Sequence, residues 1–320
     1  MTKQQVSIAI VAASSVVPRI ELEEGVVHLR TEGFETFVHP HCFETHFTFA
    51  GNDRQRAEAL WQVATDDRFN VVWMGRGGYG AARVLPLLDE LTARHGPPPR
   101  KLLVGYSDVT VLHEYARTRW NWCTLHAPMP SAGNFGSYDP GHWRSLLDLV
   151  RGQHPGRAWG ERPLKWMSTP ANAEAELVGG NLALWSSVVG TPYTPTPGRG
   201  RLVFFEDIGE KFYRIDRMLT QIRQGDLLDG AAAVLLGDFT NCDDDPPQMV
   251  RGEGEAKVPL RRSFSQVEGF AEIFGQLPMP VASGVPVGHG PNFAPLPLGA
   301  KYRAWGDGAF ELVEWDWLKS

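Results

Sequence analysis

The sequence has few cysteines, no excess of basic residues and no long apolar run. Its three cysteines, Cys42, Cys123 and Cys242, are widely spaced and odd in number, which argues against a disulfide framework and favours reduced thiols in a cytoplasmic protein. The net charge of −6 argues against a phosphate-backbone binder, so no nucleic-acid partner is expected. No apolar run reaches the length that spans a bilayer, so no membrane partner is expected either.

The apolar residues 6–17 allow two interpretations, a buried first strand or the hydrophobic segment of a signal peptide. A single lysine, Lys3, precedes them, and Pro18 with Arg19 interrupts the position where cleavage would occur. We therefore predict a strand over residues 8–11, followed by a polar loop with Ser14 and Ser15.

Short apolar strands alternate with amphipathic helices in the first half of the chain. The hydrophobic pattern predicts strands over residues 8–11, 35–38, 71–74 and 102–104, and helices over residues 21–32, 52–67, 81–91 and 109–117. Such alternation is typical of a parallel sheet covered by helices on both faces. Ligands of these sheets bind beyond the carboxyl ends of the strands, where three loops follow, at residues 14–15, 75–80 and 106–108.

The composition changes over residues 151–173, where breakers of regular structure are frequent and periodicity is weak. With 320 residues, 42% of them hydrophobic, the chain is long enough for two domains. We predict an α/β fold with an N-terminal domain over residues 1–150, a linker over residues 151–173 and a C-terminal domain over residues 174–320. Predicted helices over residues 181–189, 213–224 and 265–274, set between strands, favour a mixed α/β arrangement for the second domain.

The glycine-rich loop Gly75-Arg-Gly-Gly-Tyr-Gly80 superficially resembles a phosphate-binding loop. It lacks the Gly-Lys-Ser/Thr ending of a P-loop, and it follows the third strand, without the acidic residue of a dinucleotide fingerprint. No cofactor is therefore predicted. Two interpretations stay open, a loop whose backbone N–H groups point at developing negative charge and a tight turn that needs positive φ.

Ser107 follows the predicted strand 102–104 in the sequence Gly105-Tyr106-Ser107-Asp108, immediately before a predicted helix. A serine at such a strand-to-helix turn has the position of a nucleophile elbow, although Val109 stands where the usual pattern has a second glycine. The alternative is an ordinary serine N-cap assisted by Asp108 in the first turn. The motif taken alone favours the cap.

Two residues of the second half would complete a catalytic set with Ser107. Glu206 ends a very apolar predicted strand, and His289 lies between two glycines in a turn, which lets an imidazole project into a cleft. The order Ser107, Glu206, His289 is the order Ser…Asp/Glu…His of the α/β-hydrolases. Taken singly, Glu206 is better explained by a salt bridge to Lys211 or Arg214, and His289 by a hydrogen-bonded turn. The combination favours catalysis.

The remaining histidines are assigned structural roles. His39, His41 and His46 lie close together in sequence, but they show no strict ligand spacing and no cysteine partner, so no metal site is predicted. His126, which precedes Ala127-Pro128-Met129, is interpreted as a structural hydrogen-bonding residue beside the active loop.

Several motifs in the same order give the chain a family resemblance. They include Arg76-Gly-Gly-Tyr-Gly80, Val104-Gly-Tyr-Ser-Asp108 and Gly288-His-Gly-Pro291, and further ones lie at residues 8–15, 126–129, 178–182, 190–193, 205–209, 213–216, 236–238 and 296–299. Together, in this order, they are far more specific than any one of them. The chain resembles the LD-carboxypeptidase family of serine peptidases, which also holds the microcin C immunity peptidases. His126-Ala-Pro departs from the more frequent His-Gly-Pro of the family.

The resemblance implies a flavodoxin-like or class I amidotransferase-like N-terminal domain and a triad divided between domains. Ser107 would be the nucleophile, His289 the general base and Glu206 the residue that orients it. The N–H groups of Gly78 and Asp108 would form the oxyanion hole. The expected substrate-binding residues are Arg76, Gly77, Tyr79 and Asn181.

The implied activity is hydrolysis of the amide between an L-centre and a terminal D-residue, releasing D-alanine from the murein tetrapeptide in cytoplasmic cell-wall recycling. The expected partners are a small muropeptide substrate and a second copy of the chain in a homodimer. One alternative is an immunity peptidase that cleaves a peptidyl- or aminoacyl-nucleotide with the same triad, an option that Trp159 and Trp166 keep open. The other is a non-catalytic muropeptide-binding protein.

Overall fold

Two large β-sheets organise the computed structural model, which describes residues 6–155, 163–244, 246–251, 256–291 and 293–319. The strands are β1 (Ser7–Val11), β2 (Glu35–Val38), β3 (Val71–Met74), β4 (Leu102–Gly105), β5 (Cys123–His126), β6 (Lys165–Trp166), β7 (Ala173–Asn181), β8 (Leu202–Ile208), β9 (Ala233–Thr240), β10 (Met249–Arg251), β11 (Lys257–Pro259), β12 (Val281–Ser283), β13 (Leu296–Leu298), β14 (Lys301–Ala304) and β15 (Phe310–Glu314). The α-helices are α1 (Arg19–Thr31), α2 (Asp53–Thr65), α3 (Leu85–His95), α4 (Thr110–Arg119), α5 (Pro140–Val150), α6 (Leu182–Ser187), α7 (Phe212–Gln224) and α8 (Gln266–Phe274). No helix of the described ranges is both long and apolar enough to cross a membrane.

The first sheet has the order β2-β1-β3-β4-β5-β13, in which β1 to β5 are parallel and β13 is antiparallel to β5. Strands β3, β4 and β5 are buried at every position. The reason is that α1 and α5 pack on one face of the sheet and α2, α3 and α4 on the other. The prediction of a parallel sheet covered on both faces is confirmed, and residues 8–11 lie in a central strand.

The second sheet has the order β15-β14-β7-β8-β9-β12-β6, with β7, β8, β9 and β12 parallel and the remaining three strands antiparallel to their neighbours. Helices α6, α7 and α8 cover one face. Residues of the other face, among them Leu177, Phe204 and Leu235, belong to the same buried cluster as α1 and α5 of the first half. The mixed α/β second half is confirmed, and a continuous apolar core joins the two sheets.

The sheets do not follow the proposed chain boundaries strictly. Strand β13, from the second half, completes the first sheet by pairing with β5, and β6, from the predicted linker, pairs with β12 at the edge of the second. The helix predicted over residues 81–91 is a 3₁₀ turn, Ala81–Val84, followed by α3. Helix α3 ends before Gly96, which has a φ of +81°. That conformation is open to glycine and terminates helices.

Candidate active site

Ser107 occupies a strained strand-to-helix turn. It follows β4, has a φ of +62° and begins the 3₁₀ turn Ser107–Val109 that leads into α4. Positive φ is uncommon outside glycine and costs on the order of 1–3 kcal/mol, a strain that concentrates at functional sites. Neither the 3₁₀ turn nor α4 has a side-chain cap hydrogen bond. The N-cap alternative is therefore wrong, and the backbone has the form of a nucleophile elbow.

The three loops predicted at the carboxyl ends of the strands meet around this serine. The N–H of Ser15 donates to the carbonyl of Gly77 at 3.2 Å, and its hydroxyl accepts from the N–H of Tyr79 at 3.0 Å. A Cβ on Gly77 would lie 3.4 Å from the Ser107 Oγ and 3.1 Å from the Met129 Cε. A side chain at Gly77 would therefore crowd the candidate nucleophile, and glycine allows the close approach of the loop.

The glycine loop also needs its positive φ angles, as the tight-turn interpretation requires, and the interpretation as a donor to developing negative charge stays a prediction. Gly78 and Gly80 have φ of +99° and +123°, and a Cβ on Gly78 would lie 2.4 Å from the Ser15 Oγ. The loop is held by the carboxylate of buried Asp108, which accepts from the N–H of Ala81 at 2.8 Å. Asp108, beside the nucleophile, therefore fixes both sides of the predicted oxyanion hole.

Arg56 of α2 is a further support of this loop that the sequence pattern did not reveal. Its guanidinium is fully buried and donates to the carbonyl of Gly80 at 2.9 Å and to the carbonyl of Ala13. Its charge is paired with Asp53. The sequence pattern of an amphipathic helix predicts an exposed side chain for an arginine at this position. The tertiary structure was needed to show that Arg56 is buried against the loops.

Glu206 and His289 form a hydrogen-bonded pair. Glu206 is fully buried in β8, at the bulge where the pairing with β9 shifts register, and its Oε2 lies 2.7 Å from the His289 Nδ1. Bulges of this kind redirect a side chain next to functional sites. Lys211 pairs with Asp243 and Arg214 with Glu210, so the salt-bridge alternative for Glu206 receives no support.

The turn around His289 is shaped by Asp238 of β9. Gly288 has a φ of +143°, and a Cβ on Gly290 would lie 2.2 Å from the Asp238 Oδ2. Both glycines are therefore needed, as the Gly-His-Gly sequence indicated. Asp238 itself was not predicted as a site residue, although it stands in one of the motifs that carry the family resemblance.

The pKa of His289 reflects opposing effects. Burial lowers it, but the hydrogen bond to Glu206 and the negative charges of Glu206, Asp207 and Asp238 raise it above the ordinary histidine value. A carboxylate at Nδ1 also fixes the tautomer with the proton on Nδ1, which leaves Nε2 free to accept a proton. The ring of Tyr106, the residue before Ser107, lies 4.8 Å from the His289 ring, so the elbow and the imidazole are neighbours.

Asn181, predicted as a substrate-binding residue, has a structural position instead. It is buried, its side-chain oxygen caps α6 by accepting from the N–H of Leu184 at 3.1 Å, and its amide donates to Asp207 at 3.0 Å. Contact with a substrate would require breaking these bonds. The backbone N–H of Asn181 donates to the hydroxyl of Thr110 at 3.0 Å, so Asn181 links the elbow helix α4 to the strand of Glu206.

Of the other candidate binding residues, Arg76 and Tyr79 lie at the surface, whereas Gly77 is buried. Arg76 is exposed and donates to the carbonyl of Val16. Tyr79 is 58% exposed, with its ring 5.7 Å from that of Phe49. Trp166 lies in β6 and donates to the carbonyl of Trp305, whereas Trp159 is outside the described residues.

The histidines considered for a metal site do not converge on a common point. His39 contacts the side chain of Gln62 at 3.0 Å through its Nε2. Within the described ranges, no three histidine, cysteine or acidic side chains are grouped in a way that would hold a metal ion. All three cysteines are buried and free.

Comparison with known proteins gives consistent matches over most of the chain. Residues 8–127 match the model of the LD-carboxypeptidase N-terminal domain, and residues 174–303 match that of the LD-carboxypeptidase C-terminal domain. A putative carboxypeptidase of Streptomyces coelicolor is 37% identical over 290 residues, which are 87% of this chain and 88% of that protein. A probable murein peptide carboxypeptidase of Bacillus subtilis is 30% identical over 298 residues, 92% of this chain and 87% of that protein.

Solved structures with the same fold include two kinds of protein. The muramoyltetrapeptide carboxypeptidase from Oxalobacter formigenes superimposes with a TM-score of 0.71 at 27% identity, over 95% of this chain and 97% of that one. MccF in complex with glutamyl sulfamoyl guanosine superimposes with a TM-score of 0.76 at 20% identity, over 97% and 96% of the two chains. At the latter identity the similarity concerns the fold alone.

Proposed function

Because this chain belongs to the LD-carboxypeptidase family, we propose that it is a serine carboxypeptidase that releases a terminal D-amino acid from a murein tetrapeptide. The observation that carries the proposal is the hydrogen bond of 2.7 Å between buried Glu206 and His289, whose ring contacts that of Tyr106, the neighbour of a serine held at positive φ. The probable murein peptide carboxypeptidase of Bacillus subtilis, at 30% identity, supports the choice of substrate class. The D-residue released from a murein tetrapeptide would be D-alanine, as part of cell-wall recycling.

The proposed reaction is acyl transfer in two steps. The Nε2 of His289 accepts the proton of the Ser107 hydroxyl while Oγ attacks the carbonyl carbon of the L–D amide. The tetrahedral intermediate collapses, the C–N bond breaks, and the imidazolium gives its proton to the departing amine of the D-residue. Water, deprotonated by His289, then hydrolyses the ester, which releases the tripeptide and returns the proton to Ser107. Glu206 stabilises the imidazolium in both steps.

The backbone N–H groups of Gly78 and Asp108 are the proposed oxyanion donors. Asp108 lies in the first turn of a helical segment, where N–H groups lack intrahelical acceptors. Among the described residues, no backbone or side-chain acceptor is found for the N–H of Gly78. Two free donors on loops tied together by the Asp108 carboxylate suit a charge that develops only during the reaction.

The rim of the cleft supplies the proposed substrate contacts. Arg76 is exposed beside the glycine loop and would bind the carboxylate of the terminal D-residue. The backbone of Gly77 and the exposed ring of Tyr79 would border the peptide. Asn181 is left out of this set because its side chain is used within the protein.

One incubation separates the three candidate functions. The wild-type protein and Ser107→Ala are each given a murein tetrapeptide and an aminoacyl-nucleotide of the microcin type, and the products are identified by mass. We expect D-alanine and tripeptide from the wild type and neither from the variant. Cleavage of the nucleotide alone would favour the immunity peptidase, and binding of the muropeptide without any product would favour the binding protein.

The proposal also includes a homodimeric assembly and a cytoplasmic location. A homodimer would show as a single species of twice the chain mass in sedimentation velocity, and a monomer at micromolar concentration would reject it. A cytoplasmic site of action would show in fractionation of the native cells, because muropeptides for recycling are processed inside the cell in this proposal.

A further inference from the structure

One oxygen of the proposed catalytic acid has no hydrogen-bond donor. Glu206 is fully buried, and while its Oε2 binds His289, its Oε1 has no partner among the described residues. A buried carboxylate oxygen without a donor is costly, and such atoms are rare in folded proteins. A carboxylate held at one oxygen only is also free to rotate away from the imidazole.

The group that faces this oxygen is His126. Its Nε2 lies 3.9 Å from the Glu206 Oε1, the residue is fully buried, and neither ring nitrogen has a hydrogen-bond partner among the described residues. The structural hydrogen bond predicted for His126 is thus not formed among the described residues. Two buried, unsatisfied polar groups face each other at about 1 Å beyond hydrogen-bonding distance.

The position of the His126 ring is set by the sheet and by aromatic neighbours. His126 ends β5, where it pairs with Gly105 of β4 on one side and Leu296 of β13 on the other. The rings of Phe204 and Phe293 lie 5.8 Å and 5.6 Å from it. The imidazole is thus confined, and the short strand β13 closes the sheet beside it.

The charge state of His126 suits a donor to Glu206. Burial, with the neighbouring His113 and His289, keeps the pKa of His126 well below the ordinary value, so the ring is neutral and has one N–H. His113 of α4 is itself directed at the carbonyl of Gly105, at 2.9 Å. A neutral ring can donate to the carboxylate without competing with the imidazolium of His289 for the same charge.

We propose that His126 is a positioning residue of the catalytic triad: with its proton on Nε2, it donates a hydrogen bond to the Glu206 Oε1 when the carboxylate closes the separation of 3.9 Å seen in this structure. The inference rests on the proposed function of Glu206. With a donor at each oxygen, the carboxylate is fixed in the plane that directs Oε2 at the Nδ1 of His289. Strand β5 of the first sheet thereby supports an acid that belongs to the second sheet.

Two substitutions at this position separate a donor from a space-filling side chain. His126→Gln places an amide N–H at about the reach of Nε2, whereas His126→Leu has similar bulk and no donor. We expect His126→Leu to lower kcat by about tenfold, the value of a modest hydrogen bond to a charged group, with KM within about twofold. His126→Gln should retain kcat within about threefold of the wild type.

The second readout is the pKa of His289, measured by NMR on protein with labelled histidine. The titratable groups that face His289 are Glu206 and Asp207 of β8, Asp238 of β9, Tyr106 of the elbow and His126. Loss of the donor at Oε1 leaves the carboxylate charge less compensated. His126→Leu should therefore raise the pKa of His289 and move the acid limb of kcat/KM to higher pH, and His126→Gln should not.

The NMR arm needs no turnover, so it distinguishes failure of this inference from failure of the proposed function. In the wild type, the 15N chemical shifts of His126 should show a neutral ring with its proton on Nε2. A proton on Nδ1 would overturn the inference, and this measurement does not depend on the folding of any variant. Wild-type kcat and an unchanged His289 titration in folded His126→Leu would overturn it as well. If the wild type were inactive on all peptides, the proposed carboxypeptidase function would be rejected. The NMR titration of His289 would then still decide whether His126 donates to Glu206.

Discussion

Replacement of Glu206 by glutamine tests the core of the proposed mechanism, because it keeps the shape of the side chain and removes its charge. The bond from fully buried Glu206 to part-buried His289, at 2.7 Å, has the short length of a charge-assisted hydrogen bond. Hydrogen bonds to charged groups contribute about 1.5–3 kcal/mol. At about 1.4 kcal/mol for each factor of ten in rate, this corresponds to roughly 10- to 150-fold in kcat.

The tautomer adds to this loss. A glutamine can present its amide N–H to Nδ1, which would leave the imidazole proton on Nε2, where the base needs a lone pair. We therefore expect Glu206→Gln to lower kcat by at least about 100-fold with KM little changed, since the lost interaction strengthens in the transition state. The assay is release of the D-amino acid from a murein tetrapeptide at saturating and at limiting substrate.

The pH profile and the stability give independent checks. Without the Glu206 charge, burial dominates the pKa of His289, so the acid limb of kcat/KM should move to lower pH. The raised pKa of His289 in the wild type stabilises the fold below the unfolded value of about 6.5, and this contribution is lost as pH rises through the folded value. Above that range, a neutral glutamine removes a buried charge, and the thermal midpoint should be equal or higher.

A purely structural ion pair would give the opposite pattern. Glu206→Gln would then lower the thermal midpoint at neutral pH, by an amount equivalent to about 3–5 kcal/mol for a buried pair, and would spare kcat in the protein that stays folded. Near-wild-type kcat together with an unmoved acid limb would refute the assignment of Glu206 as the orienting acid.

Three further changes test the rest of the site. Ser107→Ala should abolish turnover. It should leave the circular dichroism spectrum and thermal midpoint close to those of the wild type, because the half-buried hydroxyl fills no core cavity. Residual turnover would remove Ser107 from the mechanism. EDTA should leave activity unchanged, and a loss that zinc restores would revive the cluster of His39, His41 and His46. Thr110→Val removes the acceptor of the buried Asn181 N–H, so denaturant titration should show a loss of about 1–3 kcal/mol, with Thr110→Ser as the matched control that keeps the hydroxyl.

The first sheet was predictable because its central strands β1, β3 and β4 are short, largely buried apolar runs between amphipathic helices, although the edge strand β2 has no buried position. The same logic located the loops at one edge, and with them the elbow and the glycine loop. The three-residue strand β13 was not predictable, since Leu296-Pro-Leu298 has no alternation and a central proline. Its pairing with β5 depends on tertiary contact between the two halves of the chain.

Side chains that support the site were harder to assign than those proposed to react. Glu206 and His289 were found because an acid after an apolar strand and a histidine between glycines are unusual locally. Asn181 was given a binding role, although its position before a helix indicated the cap that it forms. Arg56 was missed because its buried environment comes from two loops distant in sequence.

The proposed triad is divided between two sheets, so its geometry depends on contacts that hold the sheets together near the nucleophile. Two residues that follow Ser107 closely in sequence, Asp108 and Thr110, make such contacts. Asp108 ties the elbow to the loop that supplies the second oxyanion donor, through the N–H of Ala81. Thr110 ties the same elbow to the strand of Glu206, through Asn181 and Asp207. The strained φ of Ser107 is thus fixed from both sides, and each half of the machinery is positioned relative to the serine backbone. A substitution at Thr110 that touches no substrate should therefore lower kcat more than it raises KM, because it displaces the base from the nucleophile and leaves the rim of the cleft unchanged.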